Sequence, residues 1–448
     1  MKSLEYLTET GIKCLKCDEE AIIKVRSDVY CKQCYLRFIR GKQRKQMSSD
    51  KYKVKYLRDG ASHSTEKVLL AFSGGVSSLV LLDVLARLLE EQKNTHRDLQ
   101  GFELVVANIS ESDGTNLESL LSSSSIMQTL LELVGNYEVS IKVKVVTPNI
   151  DPVFLRRIGV DYEFNTFANN LSIEEQSVSS LAEILRASPN RSSSEDLRDV
   201  IFHQELLRLA QSEGCGTIVY GHSMSRLAIE VLALTVKGRG SNVHSTILDR
   251  VEDYRGDQIS IIYPFRDLFE YELREYAVLS DLMQYESAFA KYAVPKSKVS
   301  KNMTVREILS MYLDRWDESG YLSTASTVVK IGEKLTVPTS QNNSSTYCCD
   351  ICAKKIYQDP KDWLQMITVN EPAPLVSGEE RDYLHQYLTS HTDTISKSGE
   401  HVNLCYGCIT AINGAGGDSG VIWPLQKDVK FDHGEKEKAK VLKEYSLE

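Results

Sequence analysis

The sequence predicts an α/β protein with a parallel sheet at its centre and a cysteine knuckle region at each end, and three observations carry that expectation. From Lys67 to Tyr263 near-continuous apolar runs of strand length alternate with helical stretches, as strands covered by helices on both faces require. Within this span Val68-Leu69-Leu70-Ala71-Phe72 ends in the small-residue loop Ser73-Gly74-Gly75-Val76-Ser77-Ser78. The loop opens into a second apolar run, free of Gly and Pro and too long for a strand, so the stretch reads as strand, turn, helix. Outside the span, eight of the ten cysteines form four Cys-x-x-Cys pairs, two near each end.

Size and composition set the frame. At 448 residues the chain has room for two or three domains, and 42% hydrophobic with 26% charged residues is a soluble, globular composition. No apolar run reaches the ~20 residues of a membrane helix, and Met1 to Lys13 lacks the apolar centre of a secretory signal. A cytoplasmic or nuclear protein without a membrane partner is expected. The expected divisions are a knuckle and basic segment over 1–60, an α/β domain with a helical extension over 61–335, a polar linker over 336–346, and a second Cys-x-x-Cys region over 347–448.

At the N-terminus, Cys14-x-x-Cys17 and Cys31-x-x-Cys34 flank a short alternating stretch, Ala21 to Val25, that reads as part of a hairpin. In a reducing compartment such paired spacing points to four thiolates around zinc rather than to free or redox cysteines. Four protein ligands leave no position for water, so the site is expected to be structural. Next come Arg37, Arg40, Lys42, Arg44 and Lys45, part of a run of ten cations between Lys32 and Arg58 against the single acid Asp50, in a chain whose net charge is -9. A confined basic segment on an acidic protein suits a polyanion or an acidic partner surface, and these five residues are candidates for RNA phosphates. Tyr35 and Phe38 are expected to pack on the knuckle rather than to stack on bases.

In the central span, strands are expected at Val68–Phe72, Phe102–Ile109, Ile141–Val146, Thr217–Tyr220 and Ile259–Tyr263, with helices around 79–90, 126–134, 178–186 and 197–212. The serines of Leu121–Ser125 and the run Ser192–Asp196 read as helix caps. Cys215, between two glycines at the mouth of a strand, reads as a packing residue. The loop after the first strand is neither Gly-x-x-x-x-Gly-Lys-Ser/Thr nor Gly-x-Gly-x-x-Gly, so the P-loop and dinucleotide fingerprints are excluded. Free amides at the start of its helix would still cradle a phosphate.

The loop resembles that of the PP-loop pyrophosphatase superfamily, Ser-Gly-Gly-x-Asp-Ser, with Ser73, Gly74, Gly75 and Ser78 matching and Ser77 in place of the aspartate. A second stretch, Gly221-His222 with the helix after it, resembles the Gly-His-Asn-x-Asp-Asp-x-x-Glu motif of tRNA-modifying members. Here Ser225 and Arg226 replace the aspartates, Ile229 replaces the glutamate, and Glu230 lies about 100° round the helix from that position. The carboxylates that would hold magnesium on a triphosphate are therefore missing. So are the paired cysteines that carry sulfur in thiolating members, because Cys215 is the only cysteine between Cys34 and Cys348. The nucleotide contacts Ser73, Gly74, Gly75, Ser77 and Ser78 are accordingly a degenerate set, and ATP binding is left open.

Beyond the second motif, Lys237-Gly238-Arg239-Gly240 suits a phosphate or a capped turn, with Arg239 a further RNA candidate. Lys291 to Arg306 is basic again, and Ile308–Leu313 is amphipathic. Cys349-x-x-Cys352 and Cys405-x-x-Cys408 then stand fifty-two residues apart. Two knuckles can close one zinc site across such an insertion, although the spacing alone does not require it.

As an ordered set, the N-terminal knuckle with its basic run, Ser-Gly-Gly-Val-Ser-Ser, Gly221-His222, Lys237 to Gly240 and Leu404-Cys405-Tyr406-Gly407-Cys408 resemble the cytoplasmic tRNA 2-thiolation protein 2 family across nearly the whole chain. The resemblance implies a PP-loop domain, adenine nucleotide alpha hydrolase-like, between two zinc knuckles. It also implies a non-catalytic subunit that forms a heterodimer with a catalytic PP-loop paralogue. Sulfur would come from a thiocarboxylated ubiquitin-related modifier, and the target would be the wobble uridine of lysine, glutamine and glutamate tRNAs. Two other readings stay open: an ATP-dependent enzyme that adenylates tRNA through an unconventional loop, and a zinc-knuckle scaffold that binds only proteins.

Overall fold

A computed structural model describes residues 4–7, 11–56, 65–110, 117–148, 155–158, 173–175, 181, 185, 188, 190–290, 300–318, 323–336, 348–349, 352–357, 378–379, 381–382, 405–412 and 421–424. In chain order the strands are β1 (Leu4–Tyr6), β2 (Ile23–Val25), β3 (Asp28–Tyr30), β4 (Glu66–Ala71), β5 (Phe102–Ile109), β6 (Ile141–Val146), β7 (Leu155–Ile158), β8 (Ile173–Glu175), β9 (Thr217–Tyr220), β10 (Arg250–Tyr254), β11 (Asp257–Ile262) and β12 (Val421–Pro424). The helices are α1 (Lys32–Gln46), α2 (Val76–Thr95), α3 (Leu117–Val134), α4 (Arg191–Glu213), α5 (Met224–Val236), α6 (Val243–Ile247), α7 (Glu270–Leu279), α8 (Met283–Ala290), α9 (Val305–Glu318), α10 (Ser323–Lys334) and α11 (Tyr406–Ile412).

Six strands form the central sheet in the order β10-β11-β9-β4-β5-β6, parallel except for β10, which pairs antiparallel with β11. Alternation sorts its side chains. Val68, Leu70, Leu104 and Val106 enter the core shared with α2 and the N-terminal knuckle, while Leu69, Val105 and Ile218 pack against Leu206, Leu209 and Ala210 of α4. Helices on both faces explain why the strands read as continuous apolar runs. A third core joins α5, α6, α9 and α10 to the β11 side of the sheet.

All five expected strands are present, and three match residue for residue. The last one starts earlier, at Asp257, because it is one arm of a hairpin with β10 that turns at Arg255-Gly256, both at positive φ. The serines of Leu121–Ser125 lie inside α3 rather than ahead of it. The cap of α4 is Asn190, whose side chain accepts the Ser193 amide, so Ser192–Asp196 forms the first turn. The expected helix at 178–186 and the polar linker lie largely or wholly outside the described residues. A second sheet, β12-β7-β8, joins a strand from the C-terminal region to two from the central one. No helix of the described residues is long and apolar enough to cross a membrane.

Candidate functional site

The two loop motifs meet because of strand register. Ala71, the last residue of β4, pairs with Tyr220, the last residue of β9, so the turns that follow emerge side by side. Gly221 lies so close to the start of α2 that a Cβ there would sit 3.0 Å from the Ser77 carbonyl. Gly74 is required twice over, by a φ of +79° and because a Cβ would fall 2.7 Å from Phe289 of α8. Gly75 is the N-cap of α2, with extended backbone and room for a Cβ, whose nearest atom would be the Ser73 hydroxyl at 3.6 Å. Ser78 donates to the Gly75 carbonyl at 2.8 Å and lies 3.3 Å from the Ser73 hydroxyl. The strand, glycines and helix start that the loop motif calls for are thus all in place.

The residues that stand where the family has carboxylates do other work. Ser77 is half-buried. The Ser225 hydroxyl is buried and accepts the Glu270 amide at 3.2 Å. Arg226 pairs with Glu230 at 2.8 Å, and Ile229 is buried in the α5 core. Glu230 turns to Arg306, which it meets at 2.9 Å. Burial opposes its charge, but Arg226 and Arg306 together hold its carboxyl down at about 2. Arg306, expected within a basic segment, is therefore an internal counter-ion that also reaches Glu195, Asp196 and Asp199. His222 stacks on Tyr263, ring centroids 5.4 Å apart, and burial with the nearby Arg226 pushes its pKa down to about 3. Cys215 is buried at the opening of β9, the opposite end of the parallel sheet from the loop, and burial pushes its thiol up to about 12.

Both cysteine sets converge. Cys14, Cys17, Cys31 and Cys34 bring four sulfurs within 4.8 Å of one another, and so do Cys349, Cys352, Cys405 and Cys408. Observed separations of 3.5 Å (Cys17 to Cys34), 3.6 Å (Cys17 to Cys31) and 3.7 Å (Cys352 to Cys405) are close to the ~3.8 Å that four sulfurs at 2.3 Å from a tetrahedral metal would show. In the first set the β2–β3 hairpin, turning at Arg26-Ser27, carries Tyr30 into Cys31, the N-cap of α1. Burial raises the Cys14 thiol, yet backbone donors near Cys31, Lys16 and Cys17 outweigh it and hold the thiol down at about 6. The donor sets fit a soft divalent cation and leave no ligand position open.

The N-terminal knuckle docks on α7. Arg26 forks onto Glu272 at 2.7 and 2.9 Å and lies over the Phe269 ring, while the Tyr35 hydroxyl donates to the Glu272 carbonyl at 2.7 Å. As the sequence suggested, Tyr35 is fully buried, and Phe38 stacks on Tyr30. Arg40 donates to Tyr276, whose hydroxyl donates to Asp83 at 2.6 Å; Asp83, buried in α2, also takes Tyr137 and Arg87. The one sequence signal for this cluster is an acid placed four residues before an arginine inside an apolar run. Among the tRNA candidates, Arg37 and Lys45 are exposed, Lys42 lies over the Phe38 ring, and Arg44 pairs with Glu91. Arg239 is placed differently, turned inward between Asp196 and Cys408.

Comparison with known proteins follows this geometry. Residues 304–410 match the family model of cytoplasmic tRNA 2-thiolation protein 2. A protein of that name from Lodderomyces elongisporus is 99% identical over the whole of both chains, and one from Scheffersomyces stipitis is 44% identical over 99% of this chain and 98% of its own. Among solved structures, the U34-tRNA thiolase NcsA from Methanococcus maripaludis, determined with its 4Fe-4S cluster, is 19% identical with a TM-score of 0.48, over 76% of this chain and 95% of that one. The chain belongs to the cytoplasmic tRNA 2-thiolation protein 2 family.

Proposed function

We propose that this chain is the non-catalytic subunit of a cytoplasmic tRNA wobble-uridine 2-thiolation complex. Family membership supports the pathway. The observation that carries the non-catalytic assignment is the fate of the positions where a PP-loop enzyme keeps its acids. Ser77 and Ser225 offer magnesium only neutral hydroxyls in place of carboxylates, Arg226 is a cation, and Glu230, the acid next to the motif position, is committed to Arg226 and Arg306. The only cysteine of the central domain is buried at the far end of the sheet, so no thiol pair stands ready to receive and resolve sulfur. Activation and sulfur transfer then fall to a catalytic PP-loop paralogue bound as a heterodimer. The sulfur donor is a thiocarboxylated ubiquitin-related modifier, and lysine, glutamate and glutamine tRNAs are the substrates.

In this reading zinc in both cysteine sites is structural, and α1 offers Arg37, Arg40, Lys42, Arg44 and Lys45 along a surface that contributes to tRNA binding. The intact Ser73-Gly74-Gly75 cradle favours the competing reading, an ATP-dependent enzyme. Pyrophosphate release from ATP and tRNA by the isolated chain separates the two. None is expected, and turnover that depends on tRNA would overturn the assignment.

A further inference from the structure

The C-terminal cysteines pack against a cation that has one carboxylate partner among the described residues. Arg239 keeps only 11% of its side chain exposed. Its carboxylate partner Asp196 lies 3.5 Å away and already takes Lys237 at 2.7 Å and Arg306 at 3.2 Å. The other contacts of the guanidinium are the Gly407 carbonyl at 3.2 Å and the Cys408 sulfur at 3.8 Å, and its Nε, fully buried, has no hydrogen-bond partner among the described residues. A guanidinium does not lose its proton in a protein, so one this deep calls for negative charge beside it. Four thiols, or two disulfides, carry none. Four thiolates around a divalent cation carry a net negative charge and place it at the Cys408 sulfur.

Packing points the same way. A Cβ at Gly238, which also has a φ of +68°, would collide with the Tyr406 ring, and a Cβ at Gly407 would collide with the Arg239 side chain. Each glycine makes room for the other motif, so the Lys237–Gly240 turn and the Cys405–Cys408 knuckle are shaped as a pair. Among the described residues no arginine or lysine side chain bonds to a sulfur of the N-terminal set, whose sulfurs meet one another and backbone amides.

We propose that Arg239 is the outer-sphere partner of a metal held by Cys349, Cys352, Cys405 and Cys408, and that the metal-bound tetrathiolate is the form that docks on the Lys237–Gly240 turn. This rests on the metal reading of the C-terminal site and is independent of the tRNA assignment. The test uses the full chain loaded with zinc, metal content by elemental analysis, and the rate of zinc transfer to a chromogenic chelator. Wild type should hold two zinc ions per chain, one of which is lost in Cys405→Ser. In Arg239→Gln that same ion should leave about 10–100-fold faster, the usual cost of removing an outer-shell partner, while the other ion is unaffected. Arg239→Lys, which keeps the charge but not the fork, should fall between and serves if Arg239→Gln does not fold. Hydrogen exchange should rise in 405–412 and not in 23–47. Wild-type release rates in both Arg239 variants would overturn the role of Arg239. A wild-type chain whose zinc content Cys405→Ser does not lower would overturn the metal reading itself, and the proposal with it.

Discussion

The two cysteine sites have the same four-sulfur geometry but are built in opposite ways. The N-terminal site is local, with its pairs joined by a hairpin and thirteen residues between Cys17 and Cys31. It is fixed to the body through aromatic packing and a partly exposed fork, Arg26 on Glu272, with Gln46 on Asp267 and Arg40 on Tyr276 beside it. The C-terminal site closes across fifty-two residues and is fixed through charged and polar contacts: Arg239 on the Gly407 carbonyl and the Cys408 sulfur, Lys354 on Glu252, and the Ser193 hydroxyl on the Ala411 carbonyl at 2.7 Å. A local site can fold as soon as its metal binds, whereas a split site must first find the domain that completes it.

The largest expected effect breaks this contrast at its root. Cys31→Ser should release one zinc and unfold 11–47 as a unit, since zinc binding in such small knuckles supplies on the order of 10 kcal/mol of folding free energy. Cys405→Ser should release the other zinc and loosen only the C-terminal knuckle. Limited proteolysis with metal analysis reads both, and equal damage to the two regions would remove the distinction.

Glu272→Ala comes next. It removes the partner of the half-exposed Arg26 and the acceptor for the Phe269 amide at 2.9 Å, so a loss of about 1–2 kcal/mol is expected in urea unfolding. On the C-terminal side Gly238→Ala meets both a positive φ and the Tyr406 ring, and at least ~1 kcal/mol should be lost, with raised exchange in 405–412.

A pH scan reads the central domain apart from both knuckles, because His222 titrates beside the second loop motif. His222 has a folded value near 3 against 6.5 when exposed, so as pH falls the unfolded chain takes up the proton first. Stability should be fully present above pH 6.5 and drain away toward pH 3, by up to ~1.4 kcal/mol per pH unit from this one group. His222→Gln should flatten the slope of urea-derived stability across that window; an unchanged slope would contradict the burial assigned to the ring. The smallest stability effects are expected at Arg37 and Lys45. Changing either to Ala should leave stability within about 0.5 kcal/mol while lowering the salt slope of tRNA binding by about one.

How much of this the sequence disclosed follows from range. The strands were legible because burial on both faces imposes continuous apolar runs, and the N-terminal site because its ligands lie within one hairpin and one helix turn. Both halves of the C-terminal assembly stood out as motifs, Lys237 to Gly240 and Leu404 to Cys408, but nothing local says that each glycine accommodates the other's side chain. Glu272 and Asp83 read as ordinary helix residues, since Arg26 on the one and Tyr137 and Tyr276 on the other lie on other elements more than fifty positions away. Glu230 was expected to point away from the loop, and the reason is now visible in Arg306, which the sequence presented as part of a basic surface.

The loop itself offers the most direct test of the proposal that this chain carries out no nucleotide chemistry of its own. Gly75 caps α2 with extended backbone, φ -77° and ψ 162°, and the nearest atom to a Cβ there is the Ser73 hydroxyl at 3.6 Å. Aspartate is a favoured residue at such a cap, so Gly75→Asp should fold normally while placing a carboxylate where a nucleotide phosphate would have to sit. The measurement is the 2-thiouridine content of tRNA from cells whose only copy of the protein carries Gly75→Asp. Wild-type content is predicted, and loss of thiolation with the protein folded and present at normal levels would contradict the claim.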